Sequence, residues 1–342
     1  MFLKCKAFFI HRINWGVLGV LANQFLREYL DWAQLIEEVR RIDPANAGSL
    51  WEGVEGILIM GMGGSGIVGD VIYSLSSERL EIPVVLVKDF RVPRWVGRGW
   101  LAVAVSYSGE TIETLTCLNE VIRRGAQVAV VASGGKMVEL AEERKLPYVR
   151  VPPRRTPRSS FPALLLATLK ILKSLGIDLG TPREEQIIEF LKREDTLKLG
   201  HELAEKLTGK IPVFMSSTKY YPLALRAKDE FNENAKTPAK TEVYPEGFHN
   251  DIVGWEAWFG PFSVVIFKEI GNTTLEFLKE TLLSAGLEVA TYELSNTYVE
   301  EVIKWSQVAG IASVIVAEKR GLDPKETKHI AKYKEFVRRT NI

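Results

Sequence analysis

From residue 24 onward, short apolar runs alternate with segments whose apolar residues recur at helical spacing. Gly56–Met60, Pro83–Val87, Leu101–Val105, Val128–Ala132 and Tyr148–Val151 read as strands. Between them, Ile67–Leu75, Thr111–Arg123, Met137–Arg144 and Pro162–Leu175 carry the 3.6-residue period. Apolar runs separated by helices predict parallel strands covered on both faces. After a helical stretch, Pro182–Leu207, the series resumes with strands Ile211–Met215, Ser263–Phe267 and Val289–Leu294. Its helices are expected near Leu223–Asn234, Leu275–Ala285, Tyr298–Lys319 and Pro324–Val337. The expected fold class is α/β, with two mostly parallel, doubly wound sheets flanked by helices. Each unit opens with a strand that runs into a Ser-rich turn and a helix, at 56–66 and again at 211–218. The expected organisation is a leader over 1–22, a first unit over 23–178, a helical linker over 179–208 and a second unit over 209–342.

The run Ala102–Val105 empties into Ser106-Tyr107-Ser108-Gly109-Glu110-Thr111, the start of a helical pattern. Three hydroxyls and a glycine therefore gather at a helix N-terminus, where unpaired N–H groups and the dipole favour an anion. An ordinary N-cap needs one hydroxyl, so a phosphate on a small metabolite is the expected ligand. A second glycine-rich loop, Gly61-Met62-Gly63-Gly64-Ser65-Gly66, follows the first strand. It matches G-x-G-x-x-G, and Asp89 ends the next strand, so a nicotinamide dinucleotide is a competing occupant. Ser65 among the glycines, and two such loops rather than one, favour a sugar phosphate.

Composition narrows the partners. Net charge is +1, from 44 basic and 43 acidic side chains, so the electrostatic footprint of a nucleic-acid binder is missing. The two cysteines, Cys5 and Cys117, lie far apart, which argues against a disulfide framework or structural zinc and suits a reducing cytoplasm. Few Cys and Met beside many charged residues would also suit a thermophile. Within Met1–Leu21 the apolar patches are too short to span a bilayer, and no small-residue cleavage site follows.

Two further constellations carry chemistry. Around the stretch 226–236, Leu223, Ala227 and Phe231 fall at helical spacing and bury one helix face, and Glu233 falls near the C-terminal end between Asn232 and Asn234. A carboxylate there opposes the helix dipole, which suits a general base, while Asp229 and Glu230 read as a solvated face. His249 lies in a loop, Pro245–Asp251, and is the histidine best placed for acid–base work. His11 falls in the leader, His201 in a helix of mixed charge, and His329 beside Lys328 on the last helix. That helix is crowded with lysines, and Thr327 and Lys334 share a face two turns apart.

At GMGGSG (61–66), AVSYSGETIETL (104–115), TPR (156–158), FNENAK (231–236), PEGFHN (245–250) and GIASVIVAEKRGLDP (310–324), the chain resembles the archaeal bifunctional phosphoglucose/phosphomannose isomerases. They are a branch of the sugar isomerase (SIS) domain family. The resemblance implies two SIS domains, a homodimer, and metal-free, cofactor-free aldose–ketose isomerisation of sugar 6-phosphates through a cis-enediol. It also implies that Gly64, Ser65, Ser106, Ser108 and Thr111 bind the phosphate and that Glu233 moves the proton. Arg158 would stabilise the enediolate, and His249, reaching in from the partner subunit, would open the sugar ring with Lys334 assisting. Thr327 matches the position that accompanies use of mannose. The family's Thr-Pro is Thr327-Lys328 here, which leaves Lys332 as the alternate to Lys334. The rival readings are an isomerase of another sugar or amino-sugar phosphate, and a non-catalytic module that senses a phosphosugar.

Overall fold

A computed structural model describes residues 24–48, 53–153, 155–192, 195–295 and 297–340. The leader, with His11 and Cys5, lies outside them. Helices α1 (24–30) and α2 (Trp32–Arg40) precede a five-stranded sheet. Its strands are β1 (Gly56–Met60), β2 (Val84–Val87), β3 (Trp100–Val105), β4 (Gln127–Ala132) and β5 (Tyr148–Arg150). All run parallel, in the order β2-β1-β3-β4-β5. Helices α3 (Gly63–Ser76), α4 (Ile112–Arg123), α5 (Gly135–Glu143) and α6 (Phe161–Ser174) belong to this sheet, and α7 (Glu184–Leu191) and α8 (Asp195–Leu207) lead to the next.

The second sheet has β6 (Ile211–Ser217), β7 (Lys240–Tyr244), β8 (Phe262–Glu269) and β9 (Val289–Leu294), also all parallel, in the order β7-β6-β8-β9. Helices α9 (Tyr221–Glu233), α10 (Thr273–Ser284), α11 (Tyr298–Lys319) and α12 (Lys328–Thr340) accompany it. Laid side by side, β6, β7, β8 and β9 repeat the order of β1, β2, β3 and β4. The described residues therefore form two α/β units with parallel sheets, as the alternating pattern predicted.

Alternation along each strand explains the layers. Ile57 and Ile59 face an inner core with α3 and α6, while Leu58 and Met60 face α4 and α5. In the second sheet Phe214 joins that same inner core, and Val213 and Met215 face α10. The two sheets thus share one layer of buried helices.

Three details depart from the pattern. Strand β7 was not expected, because its buried centre is a carboxylate: Glu242 accepts from Lys240 Nζ (2.8 Å), Tyr244 Oη (2.9 Å) and Trp255 Nε1 (3.1 Å). Helix α3 starts at Gly63, earlier than Ile67, so the glycines and Ser65 form its first turn. Helix α12 starts at Lys328, not Pro324, because the backbone of 323–325 is held elsewhere, as described below.

Candidate active site

In an open parallel sheet, ligands bind beyond the carboxyl ends of the strands where the strand order reverses. Here that point lies between β1 and β3, and both hydroxyl-rich loops leave from it. Ser65 Oγ accepts the backbone N–H of Tyr107 at 3.2 Å, which ties the first loop to the second. Ser106 Oγ lies 2.9 Å from Thr111 Oγ1. Thr111 is the N-cap residue of α4, yet its hydroxyl makes no capping bond, so it faces Ser106 instead. Ser65 and Ser106 are buried, and Ser108 is exposed. The hydroxyls of both loops thus meet at two adjacent helix starts, α3 and α4.

Arg158 joins these loops to the second unit. A side chain on Gly64 would come within 3.4 Å of the Arg158 Cα, so the first turn of α3 rests directly on this residue. Arg158 is 6% exposed, and each of its three guanidinium nitrogens donates a hydrogen bond. Its Nε donates to Asn234 Oδ1 (2.6 Å), Nη1 to Glu233 Oε2 (3.3 Å), and Nη2 to the carbonyls of Pro324 (2.8 Å) and Lys325 (3.3 Å). It also stacks over the Phe25 ring at 4.8 Å. Glu233 ends α9, with 26% of its side chain exposed. The site therefore sets a helix start from the first unit against a helix end from the second. Arg158 supplies the positive charge between them.

Behind this pair lies a buried network that the sequence pattern did not reveal. Glu230, expected on a solvated face, is 1% exposed. It pairs with Arg226 one helical turn earlier and accepts from Tyr29 Oη (2.6 Å) and Asn234 Nδ2 (2.8 Å). The expectation fails because the partners come from distant elements: α1 supplies Tyr29, and α11 supplies Ser313, which takes Asn234 Nδ2 at 2.9 Å. Burial raises the Glu230 carboxyl, against the pull of Arg226, and pushes the Tyr29 phenol well above its ordinary range. Arg226 Nη2 also donates to the Arg158 carbonyl at 2.5 Å.

Two further residues shape the turn that carries Arg158. The Glu28 Oε2 accepts from Ser159 Oγ (2.5 Å), Thr156 N (2.9 Å) and Thr156 Oγ1 (3.1 Å). Tyr107 Oη donates to the Pro152 carbonyl (3.2 Å) and accepts from Arg155 N (2.9 Å). The only sequence signal for Tyr107 is its place inside SYSGET.

Thr327 and Glu233 line a common cavity of about 670 Å³. Lys334 is exposed on α12, next to Tyr333, whose Oη donates to Glu113 Oε1 (2.8 Å) in the first turn of α4. The terminal helix is thereby moored beside the second loop. Lys332 is exposed on the same helix. His249 lies on a 3-10 turn after β7 and is exposed, and its side chain makes no hydrogen bond or ion pair among the described residues. The structure thus brings together Gly64, Ser65, Ser106, Thr111, Arg158, Glu233 and Thr327, while His249 and Lys334 stand at the surface. Among the described residues, no three His, Cys, Asp or Glu side chains gather where they could hold a metal ion. None of the described helices is long and apolar enough to cross a membrane.

Residues 198–337 match the bacterial phospho-glucose isomerase C-terminal SIS domain. The chain is 38% identical, over 331 residues, to the bifunctional phosphoglucose/phosphomannose isomerase of Aeropyrum pernix, covering 90% of this chain and 96% of that one. It is 30% identical, over 285 residues, to a D-glucosamine-6-phosphate 4-epimerase of Sulfolobus acidocaldarius, covering 82% and 89% of the two chains. The C-terminal domain of glucosamine-fructose-6-phosphate aminotransferase from Francisella tularensis superposes with a TM-score of 0.69 at 16% identity, over 90% of this chain and 98% of that one. This last likeness concerns the fold alone.

Proposed function

The chain belongs to the family of bifunctional phosphoglucose/phosphomannose isomerases, and from that premise we propose that it interconverts fructose 6-phosphate with glucose 6-phosphate and mannose 6-phosphate by proton transfer at Glu233. The observation that carries this reading is the placement of Arg158, whose backbone packs against the glycine turn of the phosphate loop while its guanidinium reaches the Glu233 carboxylate at 3.3 Å. A carboxylate alone could serve many ends. A carboxylate beside a fixed cation, on a residue that packs against a glycine-rich helix start, suits enediolate chemistry.

In this reading Ser65, Ser106, Ser108, Thr111 and the N–H groups at the starts of α3 and α4 hold the 6-phosphate. Glu233 takes a proton from C1 of the open-chain ketose. The electrons move into a cis-enediolate whose oxygen charge Arg158 offsets. Returning the proton to C2 on one face gives glucose 6-phosphate, and on the other mannose 6-phosphate. Thr327, which lines the same cavity as Glu233, bears on that choice of face. Ring opening needs a donor at the ring oxygen, and His249 is assigned to it, with Lys334 or Lys332 assisting. The exposure of His249, away from the Arg158–Glu233 pair, supports a homodimer in which it enters the partner's site. The reading requires neither metal nor cofactor and places the protein in the cytoplasm.

The test is proton NMR of the protein with fructose 6-phosphate in D2O containing EDTA. Glucose and mannose 6-phosphates deuterated at C2 are expected. Glucose 6-phosphate alone would remove the mannose branch and the role of Thr327. Loss of activity that added metal restores would overturn the metal-free mechanism. Binding without turnover would favour a phosphosugar sensor. Because a relative is named a 4-epimerase of glucosamine 6-phosphate, that compound belongs in the same experiment as an alternative substrate. The Glu233→Gln variant is expected to keep phosphate binding and to lose turnover by about 10³-fold or more.

A further inference from the structure

Lys236 stands three residues beyond Glu233, just past the end of α9. Its backbone has φ of +51°, a left-handed conformation that costs a non-glycine residue about 1 kcal/mol or more. The contacts made by the side chain account for that conformation. Its Nζ donates to the carbonyls of Glu233 (2.7 Å), Asp323 (2.9 Å), Pro324 (3.2 Å) and Asn234 (3.3 Å). Three N–H bonds are thus shared among four backbone oxygens, and no carboxylate among the described residues pairs with the ammonium.

Two of those oxygens belong to the end of α9, where the dipole is negative and a cation is favoured. The other two belong to the segment that leads to Thr327. Arg158 grips the same segment through Pro324 and Lys325. Two cations therefore pull 323–325 against the residues that carry Glu233 and Asn234. The same grip keeps Pro324–Thr327 out of α12, which would otherwise start where its sequence pattern does. Lys236 also lines the cavity that Glu233 and Thr327 share.

We propose that Lys236 is a positioning residue for the isomerisation, one that sets the distance between Glu233 and Thr327 by clamping 323–325 to the end of α9. The proposal rests on Glu233 being the proton-transferring group. It deepens that reading by making the choice between the two faces of C2 depend on a side chain whose ammonium is spent on backbone carbonyls.

The electrostatic setting agrees. Burial, and then the neighbouring Arg158, lower the Lys236 ammonium to about 8. The charged groups around it are Arg158 from the turn after β5, Glu233 from α9, and Asp323 and Glu326 from the segment after α11. The three carboxylates oppose the lowering and do not overcome it. Above about pH 8 the clamp loses its charge while all four carbonyls remain in place.

The experiment compares Lys236→Met, Lys236→Arg and Glu233→Gln with the unaltered full chain. It reads kcat and KM for fructose 6-phosphate, the glucose-to-mannose product ratio by NMR, the pH profile from 6.5 to 9.5 and the thermal midpoint. Displacing a reacting group by about 1 Å can cost about 10²-fold. Lys236→Met is expected to lower kcat by roughly 10- to 100-fold and to shift the product ratio at least about twofold. Its KM should stay within about threefold, since the phosphate loops are untouched. Lys236→Arg should recover most of kcat and stay flat above pH 8, where the unaltered enzyme declines. Lys236→Met with unchanged kcat and product ratio would overturn the proposal. So would a joint fall of kcat and thermal midpoint in both lysine variants at an unchanged ratio, because the lysine would then support only the fold. Turnover retained by Glu233→Gln would instead remove the premise, and that outcome is read independently of the lysine variants.

Discussion

At the residue scale, the site depends on side chains whose own sequence context is unremarkable. Glu28 lies on an amphipathic helix, where a carboxylate usually faces solvent, yet it fastens Thr156 and Ser159 on either side of Arg158. Burial alone would raise its carboxyl. The hydrogen bonds from Ser159 and Thr156, with Lys325 nearby, outweigh burial and hold it below the ordinary value. A folded-state pKa below the unfolded one contributes stability at neutral pH, and that contribution is lost as pH falls below about 4.3 and through the folded value. Glu28→Gln should therefore have a lower thermal midpoint than the unaltered protein at pH 7, with the gap narrowing as the pH falls through the lowered Glu28 value. Steady-state assays of the same variant should show kcat reduced about tenfold through a looser Arg158. The motif residues were legible because glycines and hydroxyls at a strand-to-helix turn have few other uses. Glu28, Tyr29, Arg226 and Glu230 were not, because their partners lie more than a hundred residues away or behind an apparently polar face.

Among elements, strands buried on both faces were the easiest to read, since their apolar runs have no polar side to confuse them. Edge strand β7 was hidden by Glu242, a carboxylate made tolerable inside by three donors. The loop between β3 and α4 is the most tightly specified. Gly109 has φ of +67°, and a Cβ there would lie 1.9 Å from the Gly134 carbonyl oxygen. Gly109→Ala should lower stability by about 2 kcal/mol or more in urea titrations. It should also weaken inhibition by inorganic phosphate, because the backbone that presents Ser106 and Ser108 must move. Helix α12 is fastened differently. Apart from Val337 its side chains are largely exposed, and the Tyr333–Glu113 bond is its link to the phosphate loop. Tyr333→Phe should raise the rate of limited proteolysis within 328–340 severalfold while leaving the rest of the chain resistant.

At the scale of the whole molecule, the described residues form two sheets around one inner core, and the network of Tyr29, Glu230, Asn234 and Ser313 crosses it. Calorimetry should therefore show a single transition, with calorimetric and van't Hoff enthalpies in agreement; two separated transitions would contradict a shared core. Tyr29→Phe should lower the midpoint through loss of a buried hydrogen bond to a carboxylate, a change of about 1.5–3 kcal/mol. The repeated strand order was harder to see than the strands themselves, because the two halves share topology and little sequence. The packing of α3 against α9 explains why. The start of α3 lies by Arg226 of α9, and its later turns reach the start of α9, where Ser74 Oγ donates to the Lys219 carbonyl at 2.8 Å. One copy lends the chemistry the front of its helix, and the other lends the back. The first must open with Gly63-Gly64, bare enough for an anion to approach, whereas the second opens with Tyr221-Pro222 and keeps its polar residues for the far end. Twin architectures serving opposite ends of one site have no common residues to preserve, and the likeness of the two halves survives in the order of their strands.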